Sequence, residues 1–368
     1  MAEDLLAPGT LEAEAIRHLI ASGGVAGAVE PAVQPSSLDL ALDAECYRLP
    51  GSLLPLPGES VRRLVQGVAL ERIDLSRPAC LGRGQVYVVR LRETLRLPPG
   101  LAAYCNGKSS TGRVDLATRV LADGSPRYDR IPPGYAGELW VELIPRSFAV
   151  IATAGIALTQ AIFFAQRLVL GQAELAARHA AAPLACTAEG AGCGPEALHD
   201  GRLLLTADLG REIAGWVAKR THLPLDLSGV GAHRSGDFFA PLPRPAGGML
   251  YLAQDSFYIL ATRERVAVPL DLACEMVPFD PSAGEFRAHY AGFFDPGWGV
   301  RDGRQVGLPA VLEVRPHSDD LILRHGQPIC AMAYEVLQRP CQAPYGTRAN
   351  TYADQDGPRL SKHFRRDG

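Results

Sequence analysis

The chain has 368 residues, of which 47% are hydrophobic and 21% charged, and its formal net charge is −3. These values are typical of a folded globular protein and exclude disorder, collagen and coiled coil. A weakly acidic chain has no strong field to attract nucleic acid or anionic lipid, so we expect neither as a partner. The length corresponds to about two domains.

Eight cysteines are scattered along the chain without a C-x-x-C pair, and the Met1 start is not followed by a signal peptide. This pattern favours a reduced, cytoplasmic protein over a disulfide framework. The cysteines and histidines also form no ligand set of the kind that holds zinc, so we expect no metal held by the protein and no zinc.

The first predicted element is a short helix within residues 10–24, with Thr10 as its N-cap. Short apolar runs separated by Gly and Pro turns follow it, and this rhythm predicts a mainly β barrel or sandwich with few helices. The runs are residues 86–97, 100–106, 138–144, 148–152 and 160–165.

Residues 106–113, NGKSSTGR, combine a Gly turn, two cations and three hydroxyls. Backbone N–H groups and a lysine at such a turn suit a phosphate group. The spacing is not that of a Walker A loop, and a solvated polar turn is the alternative.

Glu142 lies in the run 138–143, ELWVEL. Strand alternation puts Trp140 and Glu142 on one face and the apolar residues on the other. A carboxylate among apolar neighbours is partly desolvated, which disfavours its charged form and suits a general base. An ordinary ion pair is the alternative.

Residues 147–166 carry no charge and are long enough to span a bilayer. Two short buried strands around a turn at Ala154 and Gly155 explain them as well. The corresponding stretch later in the chain, beginning at Ser318, carries Asp319, Asp320, Arg324 and His325, so we expect buried strands and no membrane span.

That correspondence belongs to an internal repeat with one constant offset in sequence, in which Tyr87, Glu93 and Glu142 match Tyr258, Glu264 and Glu313. We therefore predict a tandem duplication. The predicted domains are a first copy at 1–170, a linker at 171–200, a second copy at 201–337 and a polar tail at 338–368, a possible lid.

Five segments resemble the motifs of dCTP deaminases, in the order of that family: 33–41 (VQPSSLDLA), 107–113 (GKSSTGR), 131–142 (IPPGYAGELWVE), 154–164 (AGIALTQAIFF) and 344–361 (PYGTRANTYADQDGPRLS). The resemblance implies two tandem dUTPase-like domains of β-barrel or jelly-roll type. It also implies a homo-oligomer, trimer-based, with sites between domains or subunits.

The activity implied by the resemblance is hydrolysis of dCTP to dUTP and ammonia without zinc, which supplies dUTP for dUMP and dTMP synthesis. Magnesium is expected on the triphosphate itself. A bifunctional deaminase–dUTPase that forms dUMP and diphosphate is one alternative, and a non-catalytic nucleotide-binding regulator is another.

The same resemblance implies roles for individual residues. Glu142 falls on the catalytic glutamate, Ser109 on the serine beside the attacking water and Arg113 on the arginine that orients the glutamate. The implied substrate-binding residues are Lys108, Ser110, Ala122, Tyr135, Gln160, Tyr352 and Gln355.

Two departures from the family pattern matter. The aspartate of its IDPGW segment is Pro132 here, and Asp123 or Asp129 of the extra stretch 123–130 could replace it. The second copy keeps Asp295 and Glu313, but its counterpart of the GKSSTGR loop, 278–284, has no cation. Because each copy keeps what the other has lost, a site that combines a first-copy loop with Asp295 and Glu313 is one alternative. Sites within first copies are favoured over it, because two unlike domains cannot alternate evenly around the three positions of a trimer.

Overall fold

A computed structural model describes residues 3–278, 286–288, 292–317, 319–347 and 351–366. Within them the helices are α1 (Ala13–Ala21), α2 (Val61–Val68), α3 (Ser109–Gly112) and α4 (Gln172–Ala181), with 3-10 turns at Glu3–Leu6, Glu30–Ala32, Pro195–Ala197, Ser235–Asp237 and Ala246–Gly248. None of these helices has both the length and the apolar character that a bilayer crossing requires.

The strands up to Phe164 are β1 (Val25–Ala26), β2 (Leu38–Leu49), β3 (Glu71–Asp74), β4 (Ala79–Leu81), β5 (Val86–Arg96), β6 (Ala102–Gly107), β7 (Leu116–Ala122), β8 (Arg130–Ile131), β9 (Ala136–Pro145), β10 (Val150–Ala152) and β11 (Ala157–Phe164).

The later strands are β12 (Ala185–Cys186), β13 (Leu198–His199), β14 (Arg202–Thr206), β15 (Ile213–Ala218), β16 (Leu225–Asp226), β17 (Phe239–Pro243), β18 (Met249–Leu252), β19 (Tyr258–Val266), β20 (Leu272–Pro278), β21 (Phe286–Ala288), β22 (Phe293–Phe294), β23 (Val300–Arg301), β24 (Arg304–Gln305), β25 (Leu308–Pro316), β26 (Leu321–Arg324) and β27 (Pro328–Val336). The mainly β fold class with a few short helices is confirmed.

The chain divides into two units, each of which includes separate stretches of sequence. Unit 1 comprises residues 1–167, 220–237 and 361–368, and unit 2 comprises residues 168–219 and 238–360. Unit 1 therefore contains one stretch that we predicted for the second copy and the last residues of the predicted tail.

The large sheet of unit 1 has the order β7-β9-β5-β2-β11-β6-β8, with β1 on β5 and β3 on β2. A small sheet, β16-β10-β4, belongs to the same unit. Trp140 of β9 is fully buried in an apolar cluster with Tyr47, Leu121 and the α2 residues Val61 and Val65. This cluster lies on the face of β9 that also carries Glu142, as alternation predicts.

The uncharged stretch 147–166 forms β10 and β11, which are joined by a turn at Gly155. Gly155 has φ +90°, a conformation that side chains with a Cβ rarely adopt. The prediction of two short buried strands is confirmed.

Unit 2 has one sheet of order β17-β15-β19-β25-β21, with β12 on β19, and another of order β13-β14-β27-β20-β22. The pairs β18-β26 and β23-β24 complete it. Its core includes Leu175 of α4 and Tyr352, which lie in segments that we predicted to be a linker and a polar tail. Both predictions overlooked the few apolar residues, such as Leu175, Leu184 and Tyr352, that anchor otherwise polar or alanine-rich sequence in the core.

At the start of the chain, Thr10 is not the helix cap that we predicted. The Glu12 carboxylate accepts hydrogen bonds from the backbone N–H groups of Glu14 and Ala15, so it caps α1. Thr10 instead forms an isolated β-bridge with Phe164, which takes its backbone out of the helix.

Candidate active site

Glu142 lies on β9, directly across from Arg119 of the neighbouring strand β7. Its side chain is only 1% exposed. The Oε1 atom accepts hydrogen bonds from Arg119 Nε at 2.9 Å and from Arg119 Nη2 at 2.5 Å. The Oε2 atom is buried and has no hydrogen-bond partner. Arginine thus satisfies one oxygen of this carboxylate and leaves the other available for a proton.

The arginine that holds Glu142 is itself fixed from two sides. Arg119 Nη2 donates to Ser52 Oγ at 3.1 Å, and its guanidinium carbon lies 4.2 Å from the centroid of the Tyr128 ring. The Tyr128 hydroxyl donates to the Leu53 carbonyl at 3.0 Å, which fixes the ring. Arg119 is therefore pre-organised to hold the carboxylate in one orientation.

The extra stretch 123–130 places its two aspartates in different surroundings. Asp123 Oδ1 accepts a hydrogen bond from the Val61 N–H at 2.8 Å, at the start of α2. Asp129 has φ +60°, and its Oδ1 accepts a hydrogen bond from the Val120 N–H at 2.7 Å, one residue from Arg119. Burial raises the pKa of Asp129 to about 7, and the negative charge of Glu142 acts in the same direction. Of the two, Asp129 is the aspartate that senses the charge of Glu142.

A second polar group surrounds the lysine of the predicted phosphate loop. Lys108 forms an ion pair with Asp39 of the segment 33–41, and Gln34 Nε2 donates to the same carboxylate at 3.3 Å. The Lys108 N–H donates to the Leu158 carbonyl at 3.0 Å, which ties the loop to β11. We name Lys108 and Asp39, together with Ser110, the lysine cluster.

Gln160, predicted to bind substrate, connects strands beside the lysine cluster. Its Oε1 accepts a hydrogen bond from Ser37 Oγ at 3.1 Å, and its Nε2 donates to Asn106 Oδ1 at 2.9 Å. Both ends of the amide are thus engaged by protein groups. Asn106 Nδ2 is buried without a hydrogen-bond partner, so the amide beside Gln160 retains a free donor.

The remaining predicted residues of unit 1 are mostly buried. Arg113 is 3% exposed and Ser109 is half-buried. The Tyr135 hydroxyl accepts from the Asp123 N–H and donates to the Glu138 carbonyl, and the Ala122 carbonyl accepts from the Ser125 N–H. Their predicted roles toward a ligand stay predictions.

Four other predicted residues belong to unit 2. Gln355 Nε2 donates to the Pro309 carbonyl at 2.6 Å, and Tyr352 is 6% exposed within the core. Glu313 is buried on β25 and Asp295 is half-buried. Most of the cation-free loop 278–284 lies outside the described residues.

Sequence reasoning missed Arg119 and Asp39. Arg119 is the only charged residue in the strand LATRVLA, and a charge inside an apolar strand is a signal that could have singled it out. Its partner, Glu142, becomes evident only when the β7–β9 register is known. Within the described residues there is no group of three or more His, Cys, Asp or Glu side chains suited to a metal ion.

These features define the class of the molecule as a mainly β protein whose first unit carries a buried carboxylate centre and a cationic loop. Models of the N-terminal and C-terminal domains of 2'-deoxycytidine 5'-triphosphate deaminase match residues 7–167 and 172–364. The chain belongs to this family.

A crystal structure of 2'-deoxycytidine 5'-triphosphate deaminase from Agrobacterium tumefaciens matches with a TM-score of 0.83 and 38% identity, over 91% of this chain and 97% of that one. A dUMP-forming dCTP deaminase from Acidothermus cellulolyticus is 33% identical over 135 residues, which are 35% of this chain and 64% of that protein. A dCTP deaminase from Halorubrum lacusprofundi is 29% identical over 148 residues, 39% of this chain and 68% of that protein. The chain thus matches slightly less than two thirds of the length of the Acidothermus cellulolyticus protein.

Proposed function

We propose that the protein hydrolyses dCTP at C4 of the cytosine to give dUTP and ammonia. The observation that carries this proposal is the half-satisfied carboxylate of Glu142, with Oε1 held by Arg119 and Oε2 buried and unpartnered. A group so placed can take a proton from a water molecule without moving.

In the proposed reaction Glu142 Oε2 accepts a proton from water while the water oxygen forms a bond to C4. Glu142 then delivers this proton to N3. The hydroxyl proton passes through the same carboxylate to the exocyclic nitrogen, and the C4–N4 bond breaks to release ammonia. Arg119 would hold the carboxylate in place throughout, and Ser109 and Arg113 keep the roles that the resemblance implies.

The lysine cluster is the proposed site for the triphosphate of the substrate. Lys108 offers a compact positive charge on a loop anchored to β11. Magnesium enters as part of the substrate, bound to its phosphate oxygens. The absence of zinc stays a prediction, tested by adding zinc-selective chelators to an assay in which magnesium is present.

The experiment is the substitution Glu142→Gln, which keeps the size of the side chain but removes the proton acceptor. We expect deamination to fall by about 10²–10⁴-fold or more while dCTP still binds. The matched control is Glu138→Gln on the same strand, because the Glu138 carboxylate pairs with Arg62 and Arg90 instead. Full activity in the Glu142 variant would refute the proposal.

A second candidate product is dUMP, because several relatives, including those from Acidothermus cellulolyticus and Nocardia farcinica, are named dUMP-forming dCTP deaminases. Chromatography of the nucleotides after incubation with dCTP and magnesium separates the two cases. Deamination alone yields dUTP, whereas the bifunctional reaction yields dUMP and diphosphate.

We further propose that the two units arose by duplication. Support comes from strand registers that recur at the constant offset of the sequence repeat: Val88 pairs with Glu142, and Ile259 with Glu313. The Tyr87 hydroxyl accepts a hydrogen bond from the Gly82 N–H at 2.8 Å, and the Tyr258 hydroxyl accepts one from the Ala253 N–H at 2.8 Å. The trimer-based oligomer stays a prediction for sedimentation analysis.

A further inference from the structure

Lysine is scarce in this chain, and two of its few lysines meet in one place. Of the 37 basic Lys and Arg residues, only Lys108, Lys219 and Lys362 are lysines. Lys108 belongs to the lysine cluster, and Lys362 lies near the other end of the chain but in the same unit.

The last described residues, 361–366, form a strap on unit 1 that positions Lys362. Ser361 Oγ donates a buried hydrogen bond to the Ser110 carbonyl at 2.7 Å, two residues from Lys108. On the other side of the lysine, the His233 N–H donates to the His363 carbonyl at 3.0 Å. The Lys362 carbonyl itself accepts from the Gly231 N–H at 2.9 Å. The backbone of Lys362 is therefore fixed in place beside the lysine cluster.

The side chains of Lys108 and Lys362 interact electrostatically. Lys362 is half-buried, and burial lowers its pKa, as does the positive charge of Lys108, while the Asp39 carboxylate acts in the opposite direction. The same Asp39 carboxylate is the ion-pair partner of Lys108. An anion bound between the two ammonium groups would relieve their repulsion and stabilise both charges.

We propose that Lys362, carried by the C-terminal strap, is a second triphosphate-binding lysine of the site in unit 1. The inference rests on the proposed function and adds a residue that no motif resemblance singled out. Ammonium groups donate in any direction, so a pair of lysines can hold several phosphoryl oxygens of one polyphosphate chain. Inorganic tripolyphosphate has the same chemistry and serves as the probe.

The test is calorimetric titration of the full chain with inorganic tripolyphosphate. Lys362→Met keeps the apolar stem and removes the charge, and we expect its Kd to rise about tenfold or more because a charge-assisted contact is lost. Lys219→Met is the matched control, since Lys219 is exposed and belongs to unit 2. Its Kd should equal that of the unsubstituted protein. Equal Kd values for all three proteins would overturn the proposal, as would an unsubstituted protein that fails to bind the probe.

A measurement on the unsubstituted protein covers the case in which the variant fails to fold. Acetylation of the three lysines is followed by mass spectrometry with and without tripolyphosphate. We expect protection of Lys362 and Lys108 and unchanged labelling of Lys219. Unchanged labelling of Lys362 would overturn the inference. Because neither readout uses dCTP turnover, a protein that binds the probe but does not deaminate dCTP would refute the proposed function alone.

Discussion

The replacement Asp129→Asn tests the electrostatics of the candidate site without altering its shape. Asp129 has desolvated surroundings, and its pKa of about 7 reflects burial first, then the lowering effects of the Val120 N–H, Arg119 and Arg130, opposed by Glu142. Tyr128 and Cys105 are the other titratable groups that respond to its charge. Asparagine resembles the protonated acid and can still accept the hydrogen bond from Val120.

The sign of the effect follows from proton linkage. The folded pKa of about 7 lies above the reference value of 3.8, so the folded state binds the proton more tightly than the unfolded state. The stabilisation from protonated Asp129 is fully present below pH 3.8 and is lost as the pH rises to about 7. The gap between these two pKa values corresponds to about 4 kcal/mol. The asparagine variant has no such loss, so it should gain about that much stability relative to the unsubstituted protein between pH 4 and pH 8.

The assay is urea denaturation at intervals across this pH range, with the two proteins measured in parallel. Ser125→Ala is the control, because it alters the same stretch but removes no ionisable group. Ser125 Oγ donates to the Arg127 and Arg130 carbonyls, so this variant should be less stable at every pH, but its pH dependence should run parallel to that of the unsubstituted protein. If the Asp129→Asn curve also runs parallel to it from pH 4 to pH 8, then Asp129 does not titrate as described and the reasoning is wrong.

Two further predictions concern neighbouring groups. Arg119→Lys should lower kcat about tenfold or more, because lysine keeps the charge but loses the paired contacts to Glu142; an unchanged kcat in steady-state assays would contradict this. Burial holds the pKa of His363 at about 4, below its usual 6.5, so its contribution to stability should be lost as the pH falls from about 6.5 through 4. The hydrogen-exchange protection factors of residues 361–366, which are the exchange rates corrected for the intrinsic effect of pH, should fall over that range and should not do so in His363→Gln.

The elements that the sequence predicted well are those set by local pattern. The turn at Gly155 and the shared face of Trp140 and Glu142 both follow from alternation and from the preference of glycine for positive φ. The helix cap was harder, because Thr10 and Glu12 both carry oxygen acceptors. Glu12 is the cap because the β-bridge between Thr10 and Phe164 keeps Thr10 out of the capping position.

Long-range contacts explain what sequence reasoning missed at the site. Arg119 and Glu142 stand on different strands, well separated in sequence, and only the strand register brings the two together. Lys362 stands at the far end of a segment assigned as a polar lid, whereas its neighbour Ser361 bonds to Ser110. The polar composition of the tail predicts exposure to solvent, although a few buried contacts are enough to hold the tail in place.

The two matched glutamates provide the last and sharpest prediction. Glu142 and Glu313 occupy equivalent registers and both are buried, at 1% and 2% exposure. What differs is the loop: residues 107–113 contain Lys108, whereas 278–284 contain no cation to meet a triphosphate. We expect that the triphosphate must be held if the cytosine is to lie against the catalytic carboxylate. Glu313→Gln should then leave dCTP turnover nearly unchanged, while Glu142→Gln abolishes it. Rates measured at saturating dCTP decide this, and the reverse result would mean that the working carboxylate belongs to unit 2.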